Sequence, residues 1–215
     1  MSVKVERNKE LLRNHFPNLN DIKLIDAIAN VAEEYTFPAG QVIMDFGAYV
    51  NMIPLVLKGT IKVMREDDDG NELFLYYLNG GQTCAASFSC CMQTKQSYMK
   101  TIAEEESHIL GLPIREVDEW ISEFKVWKRF VMQAYDARIL DLARTVDSIA
   151  FLKMDERLLQ YLNAKSLALN TKSISITHQQ IANDLHASRE AVSRLLKQLE
   201  KKGMIKLGRN KLEIL

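Results

Sequence analysis

Residues 175–215, "SITHQQIANDLHASREAVSRLLKQLEKKGMIKLGRNKLEIL", constrain the fold more than any other stretch of the chain. Thr177 followed three residues later by Gln180 fits a capping box at the start of a short helix, with Ile181 and Leu185 one turn apart on its inner side. "HAS" interrupts the pattern. Ser188 is placed to cap a second helix whose buried face is Val192, Leu195, Leu196 and Leu199. Gly203 stops that helix. Two short apolar runs then flank Gly208-Arg209-Asn210 as a hairpin. The spacing predicts a helix–turn–helix followed by a wing.

Charge points the same way. The chain has 28 basic and 28 acidic residues, yet residues 166–215 hold nine Lys/Arg against four Asp/Glu, leaving the body acidic. A basic module on an acidic body suits a polyanion. In a helix–turn–helix the N-terminal residues of the second helix read base edges. Those are Arg189, Glu190, Ser193 and Arg194. Arginine pairs with guanine O6 and N7, and glutamate accepts from cytosine N4. Lys197, Lys201, Lys202 and Arg209 suit phosphates, with Thr177, His178 and Ser188 beside them at the helix starts. A competing role for Glu190 and Arg194 is a surface ion pair at i, i+4.

Ahead of this module the pattern changes three times. Residues 5–35 read as a helical lead, with Leu24, Ile25, Ile28, Val31 and Ala32 at helical spacing. Short apolar runs follow, broken roughly every ten residues by turn signals. These are Pro38-Ala39-Gly40, Gly47, Lys58-Gly59, Asp69-Gly70-Asn71 and Asn79-Gly80-Gly81, a rhythm suited to an antiparallel barrel or jelly roll. "TIAEEESHILGLP" resumes the strand character, and from Ile114 a long helical stretch begins. Within it Met132, Tyr135, Ile139, Leu142, Val146 and Ile149 alternate by three and four, a heptad seam that predicts a dimerisation helix or a helix lying on its own core. A hinge is expected at 151–153, another helix after it, and a loop or short strand over "LALNTKSISI".

The predicted class is α+β: a helical lead and β-jelly-roll over 1–122, a dimerisation helix over 123–150, and a winged helix over 151–215. No run of 18 apolar residues predicts a membrane span, and the charged N-terminus lacks the core of a signal peptide, so the expected address is the cytoplasm. No cysteine–histidine–acid arrangement or Gly-rich nucleotide loop stands out, so no catalytic residue is assigned and an enzyme is not expected.

All three cysteines fall in "GGQTCAASFSCCMQTKQSYMKT", at Cys84, Cys90 and Cys91. Three readings stand. They are small buried residues around a vestigial or apolar pocket. They are a thiol switch, with Cys84 at a helix N-terminus and Cys90 or Cys91 resolving a sulfenic acid. Or, with His108, they hold a metal, although C-x5-C-C is no standard spacing.

From "FPAGQVIMDFG" through "LVLKGTIKVMREDDDGNELFLYYLNGGQ" to "SREAVSRLLKQLEKKGMI", nearly the whole chain resembles the CRP/FNR family of bacterial transcription regulators. The resemblance implies a homodimer on a palindromic double-stranded DNA site with TGA-like half-sites. It implies base reading by Arg189, Glu190 and Arg194, with Ser193 completing a Glu-x-x-Ser-Arg pattern, and an RNA polymerase contact where the regulator activates. The cysteine stretch then occupies the place of the phosphate cassette, Gly-Glu followed about a dozen residues later by Arg-Ser/Thr-Ala. This sequence has Gly81-Gln82, then Ala85-Ala86 for the second Gly-Glu, and Ser97 near the arginine position, or Lys95 if the register slips. A helix N-terminus and an arginine hold a cyclic phosphate, and a lysine lacks the guanidinium fork. The departure implies that cyclic AMP is not the signal. What remains is an unknown small effector, a redox or metal signal through Cys84, Cys90 and Cys91, or constitutive DNA binding by a repressor or architectural protein. The FNR-type cluster uses cysteines near the N-terminus, and none precedes Cys84.

Overall fold

The computed structural model describes residues 2–67, 70, 72–92 and 96–215, and for residues 90–92 and 149 the backbone alone. Two compact units emerge, Met1–Val63 with Leu78–Asp141, and Met64–Tyr77 with Leu142–Leu215. The fold is α+β, as expected.

The first unit opens with helices α1 (Val3–His15) and α2 (Ile22–Val31) and strand β1 (Glu33–Phe37). The helical lead expected over 5–35 is therefore two helices, and it is corrected at its end, where 33–35 belong to a strand. Pro17 lies two residues past α1, and Asp21 starts α2 afresh, its carboxylate accepting from the backbone of Lys23 and Leu24. Ala32 is extended, so Glu33 enters a strand. Asn8, fully buried, donates to the carbonyls of Ala29 and Ala32 and satisfies the end of α2.

Strands β2 (Val42–Met44), β3 (Met52–Lys58), β4 (Thr60–Glu66), β5 (Glu72–Asn79), β6 (Lys100–Ala103) and β7 (Ser107–Pro113) complete two sheets, ordered β1-β7-β3 and β2-β6-β4-β5. The turn between β3 and β4 requires Gly59. Its φ is +92°, and a Cβ there would lie 2.5 Å from the Glu106 carbonyl. Asp69 and Asn71, part of the predicted hairpin signal, lie outside the described residues. Helix α3 (Ala85–Met92) follows β5, and α4 (Ile114–Glu123) follows β7. Phe124 breaks the long helical stretch before α5 (Lys125–Phe151). An aromatic cluster fills the core where α3, α4 and α5 meet. Phe88 is fully buried 6.0 Å from Trp127, which stacks on Phe130 and meets Trp120 edge-on.

The second unit is built on α6 (Met154–Ala168), β8 (Ser173–Ser175), α7 (His178–Asp184), α8 (Arg189–Lys201), β9 (Ile205–Gly208) and β10 (Lys211–Ile214). The three strands order as β8-β10-β9, so the "LALNTKSISI" stretch supplies the end of α6 and the third strand of the wing sheet. Leu158, Leu162, Ile174, Ile181, Val192 and Leu196 form its core. Phe74 packs on that core with its ring edge-on to Tyr161, whose hydroxyl donates to the buried carboxylate of Asp184 at 2.5 Å.

Candidate nucleic-acid interface and barrel cavity

Both helices of the C-terminal module are capped as their sequence demands. The Thr177 hydroxyl accepts from the Gln180 amide, and the Gln180 side chain accepts from the Thr177 amide at 2.8 Å. The Ser188 hydroxyl accepts from the Ala191 amide. Between the helices His186 takes φ +50°, a left-handed position uncommon for a residue with a Cβ. Val192, Leu196 and Leu199 bury one face of α8 and Leu195 is half-buried. The 3.6-residue period sends the other face outward.

On that outer face Arg189, Glu190, Arg194, Lys197 and Lys201 are exposed. Glu190, Ser193, Arg194, Lys197 and Lys201 line one shallow concavity. Thr177, His178, Arg189 and Arg209 line a second, between the start of α7 and the wing. Asn210, with φ +53°, turns the wing. Among the described residues no ion pair joins Glu190 to Arg194, which leaves both side chains available. Ser193 sits differently from its neighbours. It is half-buried, with its hydroxyl 2.8 Å from His178 Nδ1, so the two residues tie α7 to α8. Gln179 and Lys211, at the rim of the second concavity, were not singled out by the sequence.

The outer face of α5 carries most of the predicted seam. Met132, Ile139, Leu142 and Val146 are exposed, at 55%, 64%, 41% and 62%. Tyr135 departs from it, half-buried and packed toward the core with its ring 6.4 Å from Phe88. Leu140 adds an exposed apolar residue off the heptad pattern. The side chain of Ile149 lies outside the described residues. Helix α5 stops at Phe151 and α6 starts at Met154, where the hinge is expected.

The barrel holds a small cavity, about 40 Å³, beside α3. Met44, Met52, Met99, Ile61, Leu78 and Cys84 line it, along with Ala86, Ser97 and Thr101. Cys84 immediately precedes α3 and is 5% exposed. Ser97 is buried, and its hydroxyl is used locally, donating to the Met99 carbonyl at 2.7 Å and accepting from the Met99 amide. Gln82 folds back to accept from the Asn79 amide, and the Thr83 hydroxyl donates to the Pro54 carbonyl. The side chains of Cys90 and Cys91, and all of Lys95, lie outside the described residues. His108 sits on β7 between Thr36 and Glu106. Among the described residues no three His, Cys, Asp or Glu gather to hold a metal, and no helix is long and apolar enough to cross a membrane.

Residues 156–215 match the Crp-like helix-turn-helix domain and residues 34–124 the cyclic nucleotide-binding domain. The cAMP-activated global transcriptional regulator CRP of Haemophilus influenzae is 28% identical over 178 residues, 80% of this chain and 79% of that protein. A crystal structure of a crp/fnr-family transcriptional regulator from Eubacterium rectale superposes with a TM-score of 0.82 at 24% identity, covering 94% of each chain. The c-di-GMP responsive global regulator CLP of Xanthomonas campestris has a TM-score of 0.76 at 17% identity, over 90% of this chain and 99% of that one.

Proposed function

The chain belongs to the CRP/FNR family of transcription regulators, with a DNA-binding helix–turn–helix and a cyclic-nucleotide-binding-like sensor domain, and we propose that it acts as a homodimer on a palindromic site. It is a regulator and not an enzyme. One observation carries the reading. Helix α8 presents Arg189, Glu190, Arg194 and Lys197 outward from a face whose opposite side is anchored by Val192, Leu196 and Leu199. Arg189, Glu190 and Arg194 read base edges. Lys197, Lys201, Lys202, Arg209 and the helix starts at Thr177, His178 and Ser188 neutralise phosphates. Ser193 orients His178 and through it the start of α7. The jelly-roll division 1–122, the dimer helix 123–150 and the winged helix 151–215 are the working parts of this reading, and the cytoplasm is where it acts. Two α5 seams pair to give the dimer. RNA polymerase is its partner where it activates.

The signal differs from that of the cAMP-activated relative. Ala85, Ala86 and Ser97 stand at the cassette positions, Gln82 is turned into its own loop, and Ser97 is closed onto the main chain. These features favour an effector other than a cyclic nucleotide, acting by a population shift through α5 and the break after Phe151. They equally suit a second reading, constitutive DNA binding. Thiol signalling through Cys84 is less well served, because a buried sulfur is poorly accessible to oxidant.

The test is fluorescence anisotropy with labelled duplexes. Tight binding to one palindrome that survives excess random DNA is expected, with Arg194→Ala relaxing that preference at one position of each half-site. Equal affinity for all sequences would overturn the reading.

A further inference from the structure

We infer that the barrel cavity takes a small, uncharged and mainly apolar molecule, which rests on the reading of the barrel as the sensor. No charged side chain lines the cavity among the described residues. A phosphate placed against these residues would lose its hydration with no cation among them to replace it. Three polar groups beside the cavity are used elsewhere. Gln82 closes the turn with Asn79, Thr83 donates to the Pro54 carbonyl, and Ser97 bonds the main chain of Met99. The polar groups left on the lining are uncharged, the hydroxyls of Ser87 and Thr101 and the thiol of Cys84, enough for one or two neutral hydrogen bonds to a mainly apolar guest.

Size agrees with polarity. At rest about 40 Å³ holds only a few heavy atoms, so a guest as large as toluene enters as the lining gives way. Three of the lining residues are methionines, Met44, Met52 and Met99, whose unbranched thioethers re-pack at low cost and let such a space widen around an apolar guest. Small side chains, Ala86 and Cys84, keep the α3 wall open. The same helix carries Phe88 against Trp127 and Tyr135 of α5. A guest that presses on α3 therefore changes the surroundings of a tryptophan, and this gives a direct optical readout.

The experiment uses the full chain with toluene as the apolar probe and 3′,5′-cyclic AMP as the anionic one. Tryptophan emission and thermal midpoint are followed, and affinity for the selected operator is measured in parallel. Saturable binding of toluene, with a raised midpoint, is expected, and cyclic AMP at millimolar concentration leaves both signals unchanged. Filling the cavity by Ala86→Val or Thr101→Ile, each checked by circular dichroism, raises the toluene dissociation constant at least about tenfold, the effect of losing room for roughly two methylenes. Either variant suffices if the other fails to fold. Binding of cyclic AMP without toluene, or a toluene response unchanged in a folded, filled variant, would overturn the assignment. If toluene binds while operator affinity stays constant, the ligand class stands and the sensor reading fails.

Discussion

Arg194 and Lys197 lie three residues apart on the outer face of α8, yet they do different work in this account. On the proposed base contact, Arg194→Ala is expected to cost about 1–3 kcal/mol in each half-site and to relax preference at one position of each. Lys197→Ala is expected to weaken all sequences alike and to lower the salt slope by about one for each protomer, roughly two for the dimer. Anisotropy over a salt series, with single-base operator variants, separates the two. His186 is a second residue whose backbone sets the cost of change. At φ +50°, His186→Val is expected to destabilise the C-terminal unit by about 1–2 kcal/mol while His186→Gly is nearly neutral, as read from urea midpoints. Lys9 links the N-terminal helices to pH. Its hydrogen bond to Asp26 at 2.8 Å, helped by Glu6 at 3.3 Å, raises its pKa above the ordinary 10.5 against the opposing effect of burial. A cation favoured by the fold stabilises fully below its unfolded-state pKa, and the contribution is lost as pH climbs through the raised one. Stability of the first unit is expected to fall above pH 10.5, and Lys9→Met to flatten that fall, measured by denaturant midpoints across the range.

At the scale of the element, α5 makes the clearest prediction. A row of Met132, Ile139, Leu142 and Val146 in water is an unsatisfied apolar stripe, and in the proposed dimer pairing with a second copy removes it from solvent. Ile139→Glu or Val146→Glu is expected to turn the dimer into monomer at micromolar concentration by sedimentation, with DNA affinity falling in parallel. A double variant still dimeric would refute the seam. The elements also show where sequence is a good guide. Caps, turns and apolar periods are local, so Thr177–Gln180, Ser188 and the wing around Asn210 were legible residue by residue. The break at 16–21 is likewise marked locally, by Pro17 and the Asp21 cap; the strand from Glu33 is not, because Glu33–Phe37 owes its conformation to pairing with Ser107–Gly111, far away in sequence. Tyr135 shows the same limit. Its spacing fits the seam, and its ring goes to Phe88 because a neighbouring helix offers it a place.

At the scale of the whole molecule, the charge split between body and tail and the order barrel, long helix, winged helix made the family readable. The cavity was not. Met44, Met52 and Met99 come from three separated strands and stretches, and nothing in their local sequence says that they converge on Cys84 and Ala86. Only the loss of the cassette residues marked the place. A duplex pool with a randomised centre, carried through repeated selection on the purified protein and sequenced, addresses the account as a whole. It predicts enrichment of a two-fold symmetric site whose half-sites lie about 10 base pairs apart, one turn of the double helix. An unenriched pool, or a single asymmetric element bound by one chain, would contradict it.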